Sequence, residues 1–498
     1  MKLFPWYCLP FVFGLLSFIF IFSLEGRSAE SLPVPIDTSA DRVKFEVPIE
    51  LERIGTLRQR STSEITSSNW TIGSETLDRD NAVYKNYNGY LVPLGIKKVR
   101  IQGGWAKTEK TKGVYSWEWL DEVINDLHAK GLTIWLQTSY GNPIYEGGGS
   151  PNLAGGIPTS EEALAAWDRW VEALVLRYKD KVAEWEIWNE PDLNANHTPE
   201  ITATFNIRTA EIIKRHQPNA IVAGLAFCKL SEEFLRGFLE YAKEKGKLHL
   251  FDQLSYHSYS SNPDSSYGKV VQLKRVIGEY SDTIEFRQGE NGAPSERCPA
   301  YALANYDWTE LTQAKWNMRR MLGDLGHDCQ SALFLLMEYF QNRSGKLIRN
   351  PKGMLRASDE VTKEVVGIKQ AYYAIQNLTS VFDDSLERIK ELSYTIENVS
   401  SKNTKVYGYR NKETGRQLLV FWDGSGTPSD ANAVKPARFV VENGNFEDPV
   451  VVDLLTGRVY AIPPHRWRKE GTSVIFAHIP VYDSPVLIAD RSLLHLMP

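Results

Sequence analysis

Apolar and polar residues alternate in two different periods along this chain. From about residue 64, short apolar runs bounded by polar and glycine residues alternate with longer segments in which apolar residues recur every three or four positions. The short runs are typical of strands buried in a parallel sheet, and the longer segments of helices with one buried face. The segment 117–130 is an example, with these apolar residues on one helical face: Leu120, Val123, Ile124 and Leu127.

Repeated strand–helix units therefore extend to about residue 382. The predicted strands are 68–73, 96–102, 132–137, 183–188, 220–225, 253–256, 283–288 and 331–337. The predicted helices are 117–130, 161–178, 200–216, 232–245, 270–280, 309–325 and 360–378. Eight strands that alternate with helices predict an α/β fold of the (β/α)₈ TIM-barrel type.

The period changes after residue 382. Short runs of alternating character, separated by turn residues, predict an all-β, sandwich-like domain over 383–498. Its predicted strands are 405–410, 417–422, 449–454, 473–477 and 486–489, and an exposed loop is expected over 423–436. We divide the chain into a signal peptide (1–29), an N-terminal extension (30–63), a (β/α)₈ barrel (64–382) and the β domain (383–498).

The first residues have the pattern of a targeting segment. Lys2 precedes an uncharged apolar run from Leu3 to Leu24, and small residues follow it up to Ala29. This pattern predicts a secretory signal peptide cleaved near Ala29. The run is also long enough to span a bilayer, so an uncleaved anchor is the alternative. In both cases the body of the protein is expected outside the cytoplasm, secreted or periplasmic, and at a membrane only if the segment is retained.

Composition narrows the classes of partner. The chain has 498 residues, with 57 basic and 62 acidic side chains, so it lacks the basic excess of a nucleic-acid binder. Cys8 lies in the predicted signal, and Cys228, Cys298 and Cys329 show no zinc-binding spacing. We expect no metal and no cofactor; disulfide pairing and oligomeric state stay open.

Two glutamates follow predicted strands where a barrel carries its chemistry. Catalytic groups of a barrel lie at the carboxyl ends of its strands. Glu190 follows the fourth predicted strand, and Glu290 follows the seventh, in a sequence rich in glycine. These strands lie on opposite sides of an eight-stranded barrel, so the two carboxylates should face one another. One protonated and one ionised carboxyl group can break a glycosidic bond, and we expect burial beside Trp185 and Trp188 to raise the pKa of Glu190.

The residues around Glu190 carry a family resemblance. Trp188-Asn189-Glu190-Pro191 resembles the strand-four signature of the clan A glycoside hydrolases, which include families 5, 30, 39 and 42. The β domain after the barrel resembles that of family 39. The resemblance implies that Glu190 is the acid/base, that Asn189 binds the sugar 2-hydroxyl, and that Glu290 is the nucleophile.

Further residues match positions of the same clan. Arg100 resembles the arginine that holds the nucleophile, and His257 and Tyr259 resemble a His-x-Tyr found near that site. Glu338 stands where many members have a tryptophan at the end of strand eight. It is therefore a third candidate carboxylate, which either binds a sugar hydroxyl or pairs with Arg100.

Polar and aromatic residues after the second and third strands are candidates for substrate binding. Trp105 and Tyr140 offer rings on which a sugar can stack, and Gln137 and Asn142 offer hydrogen bonds to hydroxyl groups. Glu186 is expected to face the helix layer or to pack below the site.

The sequence thus predicts a secreted retaining glycoside hydrolase that acts on a poly- or oligosaccharide, with β-linkage implied by the clan. The alternatives are a non-catalytic glycan-binding barrel, a transglycosylase with the same residues, and an inverting mechanism. A metal-dependent barrel hydrolase would need a His-x-His pair near strand one, and the sequence has none there.

Overall fold

The computed structural model describes residue 1, residues 32–343 and residues 345–497. Apart from Met1, the predicted signal peptide with Cys8 lies outside the described residues. No helix within the described part of the chain is long and apolar enough to cross a membrane. Cys228, Cys298 and Cys329 are free thiols.

Eight parallel strands form a closed barrel, which confirms the predicted fold. They are Trp70–Gly73, Lys98–Gln102, Thr133–Thr138, Glu184–Ile187, Ile221–Phe227, Gln253–His257, Glu285–Asn291 and Ser331–Leu333, numbered here barrel strands 1 to 8. Strand 1 pairs with strand 2 on one side and with strand 8 on the other, which closes the barrel. All carboxyl ends therefore open on one face, where the candidate site lies.

Helices surround the barrel and bury their apolar faces against it. They span Trp105–Thr108, Glu118–Ala129, Glu161–Tyr178, Pro199–His216, Glu232–Glu244, Tyr267–Gly278, Glu310–Gly326 and Gln370–Thr379. Four of them begin after a Ser or Thr whose hydroxyl accepts a hydrogen bond from a backbone N–H of the first turn. These capping residues are Ser160, Thr198, Ser231 and Thr309.

The last predicted strand and helix of the barrel are wrong in extent. Strand 8 ends at Leu333, and the helix predicted over 360–378 begins only at Gln370. Two hairpins occupy the segment between them: Tyr339–Arg343 with Lys346–Asn350, and Leu355–Ala357 with Val365–Ile368. The adjacent β-branched residues Val365 and Val366 favour a strand over the predicted helix.

Two antiparallel sheets form the β domain as a sandwich. The larger has the order Leu386–Arg388, Thr404–Asn411, Gln417–Asp423, Val486–Asp490, Pro449–Asp453, Arg458–Ala461, Arg53–Leu57 and Leu496–Met497. The smaller has the order Tyr394–Glu397, Lys435–Glu442, Ser473–Val481 and Trp467–Glu470. One strand of the larger sheet, Arg53–Leu57, comes from the N-terminal extension, so this domain combines residues from before and after the barrel.

Charged residues occupy the barrel interior below the site. In strand 7, Arg287 is buried and its Nη1 donates to Glu184 of strand 4 at 2.8 Å. Lys98 of strand 2 pairs with the same carboxylate at 2.5 Å. Trp135 of strand 3 lies beside two guanidinium groups, with its ring centroid 3.5 Å from Arg287 Cζ and 5.4 Å from Arg100 Cζ. Trp135 therefore supports the Arg100 guanidinium group on the side that faces the barrel interior.

The contact between the two sheets provides a first prediction. The rings of Phe421 and Phe439 are fully buried with centroids 4.5 Å apart. Phe421→Ala should lower the free energy of unfolding by about 3–5 kcal/mol, because it leaves a cavity in a packed core. Denaturant unfolding measures this loss. Leu176→Ala, at a position 47% exposed, is the control and should change the free energy of unfolding little. Equal small effects of both substitutions would contradict the packing described here.

Candidate active site

The backbone at the end of strand 4 is bent so that Glu190 enters the barrel mouth. Trp188 and Glu190 have φ of 63° and 47°, in the left-handed region that side chains other than glycine rarely adopt. The Glu190 N–H donates to the Ala226 carbonyl after a second pair of left-handed residues in strand 5, Leu225 and Ala226. Such strain persists where the surrounding structure holds it, and it commonly accompanies functional sites.

Glu290 lies within strand 7 and is held at both carboxylate oxygens. Arg100 Nη1 donates to Oε2 at 3.1 Å, and the Tyr259 hydroxyl donates to Oε1 at 2.8 Å. The side chain is 14% exposed, so one part of it faces the mouth. Its hydrogen bonds fix the carboxylate while leaving it accessible.

Glu190 and Glu290 meet across His257. His257 Nδ1 is 2.8 Å from Glu190 Oε1 and 3.7 Å from Glu290 Oε2. One oxygen of each glutamate and one nitrogen of His257 all lie within 4.8 Å of one another. The spacing of these atoms would also suit a metal ion. Hydrogen bonds hold both carboxylates here: His257 contacts Glu190, and Tyr259 and Arg100 donate to Glu290.

The two carboxyl groups have opposite electrostatic environments. Burial raises the pKa of Glu190, and its hydrogen bond with His257 offsets this only in part. Burial would also raise the pKa of Glu290, but His257, Arg100 and the Tyr259 hydrogen bond outweigh it and lower that pKa. The pKa of His257 is raised, because the two carboxylates outweigh its burial. One glutamate is thus suited to hold a proton and the other to stay ionised.

Arg100 joins four acidic or amide side chains below the mouth. It is fully buried, and its Nε donates to Glu186 at 2.8 Å while Nη2 donates to Asn189 Oδ1 at 2.9 Å. Its Nη1 donates to Glu75 Oε1 at 2.7 Å as well as to Glu290. The carboxylates raise the pKa of Arg100 against the effect of burial, so it is a permanent cation.

The structure brings most of the sequence-predicted residues to this place. Gln137 donates to Glu186 at 2.7 Å and to Asn189 at 3.1 Å, so it orients both from below. Asn189 uses only its Oδ1 in these bonds, which leaves its amide N–H groups as donors at the mouth. Tyr140 is 2% exposed, packs on Trp188 and receives a long hydrogen bond from Gln102. Tyr140 therefore supports the site more than it offers a free ring.

Two predicted substrate-binding residues are structural. Trp105 has no exposed surface and packs between Trp167 and Tyr145, with ring centroids 5.4 and 5.7 Å away. Asn142 is 1% exposed, and its amide group binds the backbone of Glu109 and Ile144. The prediction of sugar contacts for Trp105 and Asn142 is wrong, because neither side chain has a face left for a ligand.

Glu338 is also separated from the site. It is fully buried, lies 2.5 Å from Lys369 Nζ and accepts a hydrogen bond from the Ala357 N–H. It neither pairs with Arg100 nor offers a surface to a sugar. Trp185 points to the helix layer, where its Nε1 donates to Gln217, so it does not bury Glu190. Glu186 packs inside the barrel beneath the site and accepts a hydrogen bond from Ser255 at 2.5 Å.

Sequence reasoning missed Glu75. This residue lies two positions after strand 1, is 2% exposed and shares Arg100 with Glu290. The signal was similar to that for Glu190, since a carboxylate follows the short strand Trp70–Gly73 after one intervening residue. A survey of strand ends that starts at strand 1 would have found it.

Comparison with known proteins agrees with this architecture. The matching family model is that of glycoside hydrolase family 42, described as beta-galactosidase, over residues 79–145. This range contains strands 2 and 3 with Arg100 and Gln137. By sequence, the chain matches no curated protein.

Solved structures with the same fold are glycoside hydrolases of families 39 and 30. A family 39 enzyme from Bacteroides cellulosilyticus WH2 is 15% identical, with 87% of this chain and 83% of that chain covered and a TM-score of 0.60. The family 39 enzyme from Xanthomonas axonopodis pv. citri is 14% identical (86% and 95% covered, TM-score 0.53). A monomeric beta-xylosidase from Caulobacter crescentus CB15 is 14% identical (85% and 97% covered, TM-score 0.52). At these identities the likeness shows a shared fold.

The buried Arg100 leads to a second prediction. Arg100→Met leaves Glu75, Glu186 and Glu290 buried without their cation, so the free energy of unfolding should fall by about 3–5 kcal/mol near pH 7. The lowered pKa of Glu290 means that the pairing stabilises the fold above the unfolded pKa and is lost as pH falls. The deficit should therefore shrink towards pH 4, as measured by denaturant unfolding. Arg297→Met, at an exposed ion pair, is the control and should show no such trend.

Proposed function

We propose that this protein is a secreted retaining glycoside hydrolase that cleaves β-linked poly- or oligosaccharides. The observation that carries the proposal is the pair Glu190 and Glu290, which approach within 4.8 Å and whose pKa values are shifted in opposite directions. A protonated and an ionised carboxyl group on either side of a glycosidic bond are the required groups. The pattern of residues 1–29 supports the secreted location.

In the first step, Glu290 attacks the anomeric carbon while Glu190 donates its proton to the leaving oxygen. The bond from carbon to the leaving oxygen breaks as the bond from carbon to Glu290 forms. In the second step, Glu190 removes a proton from water, and the water oxygen displaces Glu290. Tyr259 and Arg100 hold the attacking carboxylate, and His257 orients Glu190.

The carboxylate separation favours retention over inversion. Retaining enzymes place the two carboxyl groups about 5–5.5 Å apart, whereas inverting enzymes need about 6.5–9.5 Å to admit a water molecule. One oxygen of Glu190 and one of Glu290 lie within 4.8 Å of each other, and this close approach supports the shorter separation. Transglycosylation uses the same residues and would appear as sugar products longer than the substrate.

Aryl β-xylosides are the first substrates to assay, followed by aryl β-galactosides. The solved structures of the same fold include a beta-xylosidase and a xylanase, and the matching family model is described as beta-galactosidase. A non-catalytic glycan-binding barrel is the alternative. Binding of these sugars without turnover by the wild type would favour it.

Replacement of the nucleophile tests the proposal directly. Glu290→Gln should reduce kcat by at least about 1,000-fold, because the amide cannot form the covalent intermediate, while circular dichroism shows that the variant is folded. Glu285→Gln lies at the other end of the same strand, is exposed, and should keep wild-type turnover. Activity of Glu290→Gln close to that of the wild type would reject the nucleophile assignment.

Replacement of the acid/base should have an effect that depends on the leaving group. Glu190→Ala should lose far more activity on natural glycans than on an activated aryl glycoside, whose leaving group departs without a proton. Azide should then restore turnover of the aryl substrate and give a β-glycosyl azide, as chromatography and NMR would show. Wild type and Glu360→Ala, an exposed control, should not respond to azide. Equal loss on all substrates without rescue would make Glu190 a binding residue.

A further inference from the structure

Glu75 is a buried carboxyl group that the proposed reaction does not use. It lies after strand 1, and Arg100 Nη1 donates to its Oε1 at 2.7 Å. The same nitrogen donates to Glu290 Oε2 at 3.1 Å. One nitrogen of one guanidinium group thus serves the attacking carboxylate and a second, more deeply buried one.

The groups described around Glu75 would not neutralise a negative charge on Glu75 in addition to the charge of Glu290. Its Oε2 is buried and finds no hydrogen-bond partner among the described residues. The oxygen lies against Gly73, where even a Cβ atom would approach it to 2.1 Å. An unpaired anionic oxygen in such a place is costly, whereas a neutral carboxylic acid leaves much less charge to solvate.

The charged and titratable groups around Glu75 come from several elements. Arg100 faces Glu75 from strand 2, and Glu290 faces it from strand 7. Tyr87 and Tyr259 lie close enough to interact electrostatically with its carboxylate. Arg100 is the one cation in this set, and it also pairs with Glu186 of strand 4. Burial and the like charge of Glu290 outweigh Arg100 and raise the pKa of Glu75 to about 7.

We propose that Glu75 is a positioning residue which holds a proton while Glu290 is ionised, so that Arg100 Nη1 remains hydrogen-bonded to the attacking carboxylate. When Glu75 releases this proton to solvent, its anion competes for the same nitrogen and the Arg100 bond to Glu290 weakens. The attacking role of Glu290 rests on the proposed function, whereas the proton on Glu75 does not.

Stability as a function of pH tests the proton without any substrate. A folded-state pKa above the unfolded value stabilises the fold below the unfolded pKa, and this stabilisation is lost as pH rises through the folded pKa. Glu75→Gln keeps the acceptor oxygen and mimics the protonated acid, so it escapes this loss. Between pH 5 and pH 8, the ratio of the wild-type to the variant unfolding constant should rise by roughly 100-fold. The unfolding constant of the exposed control Glu360→Gln should change with pH as that of the wild type does. If Glu75 were already ionised at pH 5, the unfolding constant of Glu75→Gln would also change as that of the wild type does. This result would overturn the proposal.

The link to Glu290 is tested in the same measurement with a second substitution. In Glu290→Gln the like charge that helps burial to keep the proton on Glu75 is absent, so the pH-dependent effect of Glu75→Gln should be smaller. An unchanged effect would show that Glu75 is independent of the attacking carboxylate and would reject the positioning role. Infrared difference spectra of wild type minus Glu75→Gln at pH 6 should also show the carbonyl band of a buried carboxylic acid, and a carboxylate band instead would contradict the proton.

Activity gives a readout that separates this inference from the proposed function. On an activated aryl glycoside, Glu75→Gln should move the alkaline limb of kcat/KM to higher pH, with a larger effect on kcat than on KM. If wild type hydrolyses the substrate but the limb does not move, the positioning role fails and the hydrolase stands. If no glycoside is hydrolysed but the stability profiles diverge as expected, the proposed hydrolase function is rejected. The proton on Glu75 and its coupling to Glu290 are then still supported.

Discussion

The rest of the site depends on one buried cation, the guanidinium group of Arg100. In the low dielectric of a barrel interior, a carboxylate is tolerated only when it is paired or protonated. Arg100 binds Glu75, Glu186 and Glu290 at once and reaches Asn189 with its remaining nitrogen. Its guanidinium group also lies beside Trp135, whose ring contacts Arg287 as well. The positions of both candidate catalytic glutamates follow from this fixed centre, since Asn189 precedes Glu190 and Glu290 is bound directly.

The second constraint is the geometry at the carboxyl ends of strands 4 and 5. Left-handed backbone at Trp188, Glu190, Leu225 and Ala226 costs free energy, and the Glu190 N–H bond to Ala226 joins the two strained segments. The bend places Glu190 opposite strand 7, where its Oε1 is hydrogen-bonded to His257 Nδ1. His257 comes from strand 6, so the acid and the attacking group are positioned by different strands of a closed sheet. Closure of the barrel therefore brings side chains from separate strands together, so that atoms of Glu190, His257 and Glu290 lie within 4.8 Å of one another.

The sequence predicted the barrel and the identity of the central residues because both depend on periodic, local signals. Arg100, Asn189, Glu190, His257, Tyr259 and Glu290 all lie in barrel strands or within three residues after them, and the closed barrel brings them together. The environment of loop residues was not predictable in this way. Trp105 and Asn142 follow strands too, but their side chains turn into the helix layer and the loop backbone, and no periodicity encodes that direction. Likewise, the ion pair between Glu338 and Lys369 depends on two hairpins whose β-branched residues compete with a helical pattern.

The protonation of the site follows from how its carboxyl groups are held. Glu290 accepts hydrogen bonds from Arg100 and Tyr259, so both of its oxygens have donors. Glu75 shares the Arg100 nitrogen with Glu290, and its second oxygen has no partner among the described residues. Burial raises the pKa of Glu75 and of Glu190, whereas the donors and positive charge around Glu290 lower its pKa. The carboxyl group that favours its proton, Glu190, therefore faces the carboxylate that favours its charge, Glu290, across the barrel mouth.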